Sequence, residues 1–183
     1  MSAPFSALCS QVAEDLRAHG REWTKPGFRS VAVHRFGVWR MTVRSKILRA
    51  PLSILYRWGY RHCRNVYGIE LPYTVLLGRR VIVEHQGGIV VHGASQIGDD
   101  CIIRQNCTLG IRRLTELDQA PTLEAGVSVG AGAVIMGAVT LGEGCVVGAN
   151  SVVLSDVPPG ALAVGVPARV VGRPTREQTR IVR

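Results

Sequence analysis

Residues 123–153 read LEAGVSVGAGAVIMGAVTLGEGCVVGANSVV, and this stretch decides the fold. Within it Leu123, Val129, Ile135, Leu141, Val147 and Val153 recur at every sixth position, and Gly130, Gly142 and Gly148 follow three of them. A period of six fits neither the roughly 3.6-residue repeat of a helix nor the repeat of about two along a strand. It marks a solenoid of short equivalent sides, each burying one apolar residue and touching only its neighbours. Towards the N-terminus the ladder continues as Leu77, Val83 and Ile89, then as Val91, Ile97, Ile103 and Leu109. It slips twice. Two residues are added within 84–90, and fourteen rather than six separate Leu109 from Leu123. The second slip, residues 110–122, is expected to be a loop projecting from one edge. Pro158-Pro159-Gly160 is expected to end the stack, because proline has no N–H for a further rung.

The chain has 183 residues, of which 46% are hydrophobic, and a formal net charge of +9. That composition indicates a packed domain with a small appendage. No apolar run approaches the roughly 18–20 residues of a membrane span. Met-Ser-Ala-Pro-Phe shows no charged segment leading into an apolar run, so the expected location is cytoplasmic. The five cysteines follow no zinc or disulfide spacing. Cys101, Cys107 and Cys145 fall two places before ladder residues, in small-residue slots, and read as small buried hydrophobes.

The charge is not spread evenly. Residues 1–70 hold twelve Lys or Arg against four Asp or Glu, a balance of +8; residues 71–183 hold ten against nine. Helical spacing is expected over Ala7–Ala18 and again from about Ser30 to Leu48, with Pro51 opening a third helix that runs to about Val66. This last segment interleaves Leu52, Leu55, Tyr56 and Trp58 with Arg57, Arg61 and Arg64. It reads either as a cap whose apolar side packs on the solenoid or as a surface for anionic membrane at the inner face; nucleic acid is the weaker alternative. Three regions follow: a basic helical segment over 1–68, a solenoid over 69–172, and a polar tail over 173–183.

Several motifs carry a family likeness. They are Gly-Ile-Glu-Leu-Pro around Glu70, Glu84-His85-Gln86-Gly87-Gly88, Thr108-Leu109-Gly110, Val129-Gly130-Ala131-Gly132-Ala133, Val147-Gly148-Ala149-Asn150-Ser151 and Gly165-Val166-Pro167-Ala168-Arg169. Together they resemble the hexapeptide-repeat acyltransferases, and among these the serine O-acetyltransferase family and its polysaccharide-modifying relatives. The resemblance implies a mainly β fold, a left-handed parallel β-helix behind a small helical segment, usually trimeric. It also implies acetyl-CoA as co-substrate in a groove between subunits, with no metal.

On that resemblance His85 is the general base and Glu70 the carboxylate that accepts its other ring N–H. An imidazole suits proton removal from an alcohol near neutral pH. Glu84 matches an acid that helps bind the acceptor. Ala131 and Ala149 match small positions along the pantetheine arm, Arg169 a position near the CoA phosphates, and Arg173 stands ready to assist. No cysteine reads as a nucleophile, so direct attack is expected. Serine-acetylating members carry an Arg-His pair before the proline that restarts the ladder; here those positions are Gln119 and Ala120. A neutral amide and a methyl cannot make the charge-assisted pair that a carboxylate wants. Arg112 and Arg113, in the same loop, are the candidate replacements. The expected activity is therefore O-acetylation of a sugar or glycan hydroxyl, with serine O-acetylation as the alternative. A zinc-dependent carbonic-anhydrase-like lyase is a remote third, since three His ligands are needed and the solenoid offers only His85 and His92.

Overall fold

The computed structural model describes residues 4–174. Three helices lead the chain: α1 (Phe5–Ala18), α2 (Pro26–Thr42) and α3 (Lys46–His62), the last running into a π-helical turn over Cys63–Tyr67. Pro26 starts α2, where a missing N–H costs nothing. The second helix ends at Thr42 rather than near Leu48, and Pro51 lies inside α3 instead of opening it. Ser45 is the reason: its side chain accepts the Leu48 N–H at 3.4 Å and caps α3 six residues before the proline.

From Ile69 the chain winds through fifteen short strands in three sheets. The first sheet stacks β1 (Ile69–Glu70), β4 (Ile89–Val91), β7 (Thr108–Gly110), β10 (Val134–Met136) and β13 (Val152–Val153). The second stacks β2 (Leu76–Leu77), β5 (Gln96–Ile97), β8 (Thr122–Leu123) and β11 (Thr140–Leu141). The third stacks β3 (Ile82–Val83), β6 (Ile102–Ile103), β9 (Ser128–Val129), β12 (Val146–Val147), β14 (Leu162–Gly165) and β15 (Ala168–Gly172). All pairs are parallel except β14 with β15.

The register measures both slips. Val134 pairs with Val152 and Val90 with Thr108, a step of 18, which is three six-residue sides. Ile69 pairs with Ile89 and Ile82 with Ile102, a step of 20, so the first coil carries two extra residues. Gln96 pairs with Thr122 and Ile102 with Ser128, a step of 26, so the second carries eight. The ladder residues fill the interior: Ile69, Leu109, Val129, Ile135 and Leu141 are fully buried, as are Cys101, Cys107 and Cys145. Burial pushes all three thiols up, Cys101 to about 11 and Cys145 to about 12, which keeps them protonated.

The stack does not end at Pro158-Pro159-Gly160. The prolines occupy a corner, where no rung N–H is required; β14 then pairs with β12, and β15 folds back on β14 as an antiparallel closing hairpin. The part of the expected polar tail beyond 174 lies outside the described residues.

The helices are bolted to the first coil. Gly27 in α2 is pressed so closely on β3 that a Cβ there would lie 1.8 Å from the Val83 carbonyl oxygen. Arg35 and Asp15, both buried, form a bidentate pair at 2.8 and 3.3 Å, and Arg35 also donates to the carbonyls of Leu77 (2.7 Å) and Gly78. At the edge of the first coil, Arg79 and Arg80 bridge Glu14 of α1 to Asp99 and Asp100.

Candidate functional site

The first slip lies where the chain passes from the third sheet to the first, between β3 and β4. Backbone bonds clamp it against the strand carrying Glu70. The Gly87 N–H donates to the Tyr67 carbonyl at 2.8 Å and the Ile89 N–H to Gly68 at 2.9 Å. Gly68 takes a left-handed backbone, φ +66°, which favours glycine, and a Cβ there would lie 3.1 Å from the Gly87 Cα, a tight approach. His85 takes a left-handed backbone, φ +66°, and its side chain is exposed.

A cavity of about 460 Å³ opens at this slip, lined by Glu84, His85 and Gln86 on one side and by His19, Lys25 and Gly27 on the other. The second wall comes from the end of α1 and the start of α2. His19 Nδ1 donates to the Asp15 carbonyl at 2.8 Å, and its Nε2 accepts the Val83 N–H at 3.3 Å. These two bonds fix one neutral tautomer, and burial lowers the His19 pKa. Glu84 is paired with Arg104 at 3.2 Å, and Arg104 also reaches the Ser128 hydroxyl.

Glu70 sits on β1 beside the slip, but its carboxylate does not hold His85. Oε1 accepts the Tyr60 hydroxyl at 3.1 Å. Burial and the nearby carboxylate push the Tyr60 phenol well above its usual range, so it stays a donor. Among the described residues the His85 ring makes no hydrogen bond. The expected His85–Glu70 bond is thus not made in this conformation: Tyr60 of α3 holds Oε1, and Oε2 accepts no hydrogen bond among the described residues.

Below the slip the corners stack into a column. The Asn106 N–H donates to the Gly87 carbonyl, the Gly132 N–H to Gln105, and the Asn150 N–H to Ala131, each at 2.8–2.9 Å. Ala131 and Ala149 lie in this column, one coil apart. It stays narrow because a Cβ on Gly132 would meet Asn150 Oδ1 at 2.1 Å. Val164 of the closing hairpin packs beneath Gly148 and pairs with Arg169. Arg169 is exposed and donates to the adjacent Ala168 carbonyl, and Arg173 is also exposed.

The second slip leaves the opposite corner, between β7 of the first sheet and β8 of the second. Arg112 is fastened along the wall: Nε donates to the Met136 carbonyl at 3.1 Å and Nη2 to the Leu154 carbonyl. Arg113 pairs with Glu116 at 3.3 Å, both exposed. Gln119 and Arg112 line a groove of about 410 Å³ with Asp156, while Ala120 is buried. Both arginines lie at a different corner of the coil from His85. His92 accepts its neighbour Ala94's N–H and takes no part in the cavity. Among the described residues no three His, Cys, Asp or Glu side chains gather as a metal site.

Sequence reasoning did not identify His19, Lys25, Gln86, Tyr60 or Arg104. Gln86 and Arg104 flank residues that it did single out. His19, Lys25 and Tyr60 have no local signal, since only the packing of the helices on the first coil brings them to the slip.

Comparison with known proteins places this geometry. The bacterial transferase hexapeptide family (six repeats) matches residues 120–155. A serine acetyltransferase of Synechococcus elongatus is 36% identical over 148 residues, which cover 81% of this chain and 58% of that protein. Among solved structures, serine acetyltransferase from Vibrio cholerae superposes with a TM-score of 0.79 at 28% identity, covering 94% of this chain and 69% of that one. Soybean serine acetyltransferase complexed with serine gives 0.75 at 34% identity, covering 90% and 69%. The coil is the left-handed parallel β-helix that the family resemblance implies. The chain spans little more than half the length of the curated relatives it matches, 58% and 53% in two cases.

Proposed function

This chain belongs to the serine acetyltransferase family of hexapeptide-repeat proteins, and we propose that it transfers an acetyl group from acetyl-CoA to the hydroxyl of serine. The observation that carries the reading is the cavity at the first slip. It brings an exposed imidazole, His85, into one cavity with a paired carboxylate, Glu84, and a cation, Lys25, which also lies 3.7 Å from exposed Glu22. In this reading His85 takes the proton of the acceptor hydroxyl as the oxygen attacks the thioester carbonyl. The C–S bond breaks and CoA leaves as the thiol. Glu70 orients His85 through its second carboxylate oxygen, while Tyr60 holds the first. A positioned base of this kind contributes about 10²–10⁴-fold.

The column below His85 suits the long arm of acetyl-CoA. At the coils of Ala131 and Ala149 its corners are Gly, Ala and Asn, so no bulky side chain obstructs the wall there, and Arg169 stands at its foot for the phosphates, with Arg173 to assist. The thioester supplies the acetyl group, and no protein nucleophile is used because the wall cysteines are buried thiols.

Serine is the acceptor best supported by the relatives, one of which is complexed with serine. It departs from the sugar hydroxyl expected from the sequence. The missing Arg-His pair is met differently from the expected Arg112 and Arg113: Lys25 lines the cavity and offers the serine carboxylate a cation. A sugar hydroxyl remains as the second reading, favoured by one observation. Gln119 is neutral and Ala120 is buried, so the two positions before Pro121 offer no charge to an acceptor carboxylate. A homotrimer belongs to this proposal, since His85 and the 110–122 loop lie on different edges of one chain and come together only between copies.

The experiment is release of free CoA thiol with serine and with a panel of sugars. Turnover with serine at low concentration, with KM raised severalfold in Lys25→Met, supports the serine reading. Turnover with sugars and none with serine overturns it.

A further inference from the structure

We propose that α3 lies in the plane of an anionic lipid bilayer and holds the protein at its surface. Only one side of this helix is used by the fold. Tyr56 is buried there; its hydroxyl accepts the Tyr73 N–H at 3.1 Å, and the Arg40 guanidinium lies 4.4 Å from its ring centre. Tyr60, on the same side, reaches Glu70. The other side presents Ile47, Ile54, Leu55 and Trp58, which are 85%, 61%, 55% and 69% exposed. Spacings of seven, eight and eleven residues put all four on one face of the helix.

One flank of that strip is basic. Arg44, Lys46, Arg57, Arg61 and Arg64 are exposed, and none forms an ion pair among the described residues. Residues 23–69 contain ten Lys or Arg and no Asp or Glu. An apolar strip with Trp, edged by long cationic side chains, is the composition of a helix that lies in the interface between headgroups and acyl chains. An apolar recess of about 400 Å³, lined by Trp23, Phe28, Val33 and Trp58, opens beside the strip and extends the area available to acyl chains. No helix among the described residues is long and apolar enough to cross a membrane, so the contact is peripheral.

Charge selects the occupant. A second copy of the chain would cover the apolar strip but would set cation against cation, with no acid on either helix. Like charges placed opposite each other oppose such a contact. Lipid phosphates neutralise the same cations, each of which raises partitioning about fivefold near an anionic surface. The inference is independent of the acceptor in the transfer reaction.

The test is co-sedimentation of the full chain with vesicles of phosphatidylcholine containing phosphatidylglycerol, against vesicles of phosphatidylcholine alone. Binding to the first and little to the second is expected, with Trp emission moving to shorter wavelength. Trp58→Phe should remove most of that shift. Arg57→Gln with Arg61→Gln should weaken partitioning about 25-fold, and Ile54→Ser with Trp58→Ser should abolish it, both with unchanged circular dichroism. Acetyl transfer to a soluble acceptor should be unaffected in these variants, so loss of lipid binding and loss of the catalytic reading are told apart. Equal binding to both vesicles, no binding to either, or binding indifferent to the substitutions overturns the proposal. So does concentration-dependent self-association that Ile54→Ser with Trp58→Ser abolishes while vesicle binding is absent, which would assign the strip to a second copy.

Discussion

In the solenoid every coil buries the same kind of group in the same place, whereas the three helices are joined to it by polar side chains used once each. Leu109, Leu123, Ile135 and Leu141 are interchangeable in role, and each is fully buried under its neighbours. Arg35 has no equivalent. It neutralises Asp15 in the interior and satisfies two carbonyls of the first coil with its remaining donors. A repeated apolar contact tolerates change in proportion to the volume lost. A buried ion pair fails abruptly, because removing one partner strands the other in a dry environment.

The sharpest way to break this contrast is Arg35→Ala. It should cost about 3–5 kcal/mol in urea unfolding, whereas Arg35→Met combined with Asp15→Leu should recover most of the loss. A cost below that of an ordinary core truncation would show that the pair is dispensable. In the solenoid, Ile135→Ala should cost about 2–5 kcal/mol and Ile135→Val about 0.5–1.5 kcal/mol, a graded response that the same unfolding curves measure.

A third test uses pH. His34 of α2 donates through Nε2 to the Val75 carbonyl at 3.0 Å, its Nδ1 is buried without a partner, and burial lowers its pKa from 6.5 to about 4. As pH falls below 6.5 the unfolded chain takes up a proton that the folded chain refuses until about 4. Stability is therefore full above 6.5 and declines through that window, by about 3 kcal/mol from this group. His34→Gln should flatten the decline. An unchanged slope would mean that other groups carry it. The smallest effect is expected from Arg80→Ala, whose partners Glu14 and Asp100 are held below their usual carboxylate range by this half-exposed arginine. Its loss should be slight at low ionic strength and vanish in high salt.

The same contrast explains what was legible in the sequence. The solenoid announces itself because Leu123 to Val153 repeat one contact, and both slips are visible as failures of that repeat. Register steps of 20 and 26 against 18 confirm their places and sizes. Where local chemistry overrides a rule, the sequence misleads. Pro51 suggests a helix start, but the Ser45 cap wins; Pro158 and Pro159 suggest an end, but they turn a corner. The helical side of the cavity carries no pattern at all. His19, Lys25 and Tyr60 reach the slip through tertiary packing across 10–66 positions, counting Tyr60 to Glu70 and His19 to His85. The apolar and basic composition of α3 is readable, but only the packing of Tyr56 shows which face the fold leaves uncovered.

In the proposed reaction the interruption at 84–90 presents His85 as the general base. The direct measurement is CoA release by His85→Asn, a substitution that tolerates the left-handed backbone at φ +66°. Turnover with serine should fall about 10²–10⁴-fold, with CoA binding and the urea midpoint unchanged. Near wild-type turnover in that variant would contradict the account.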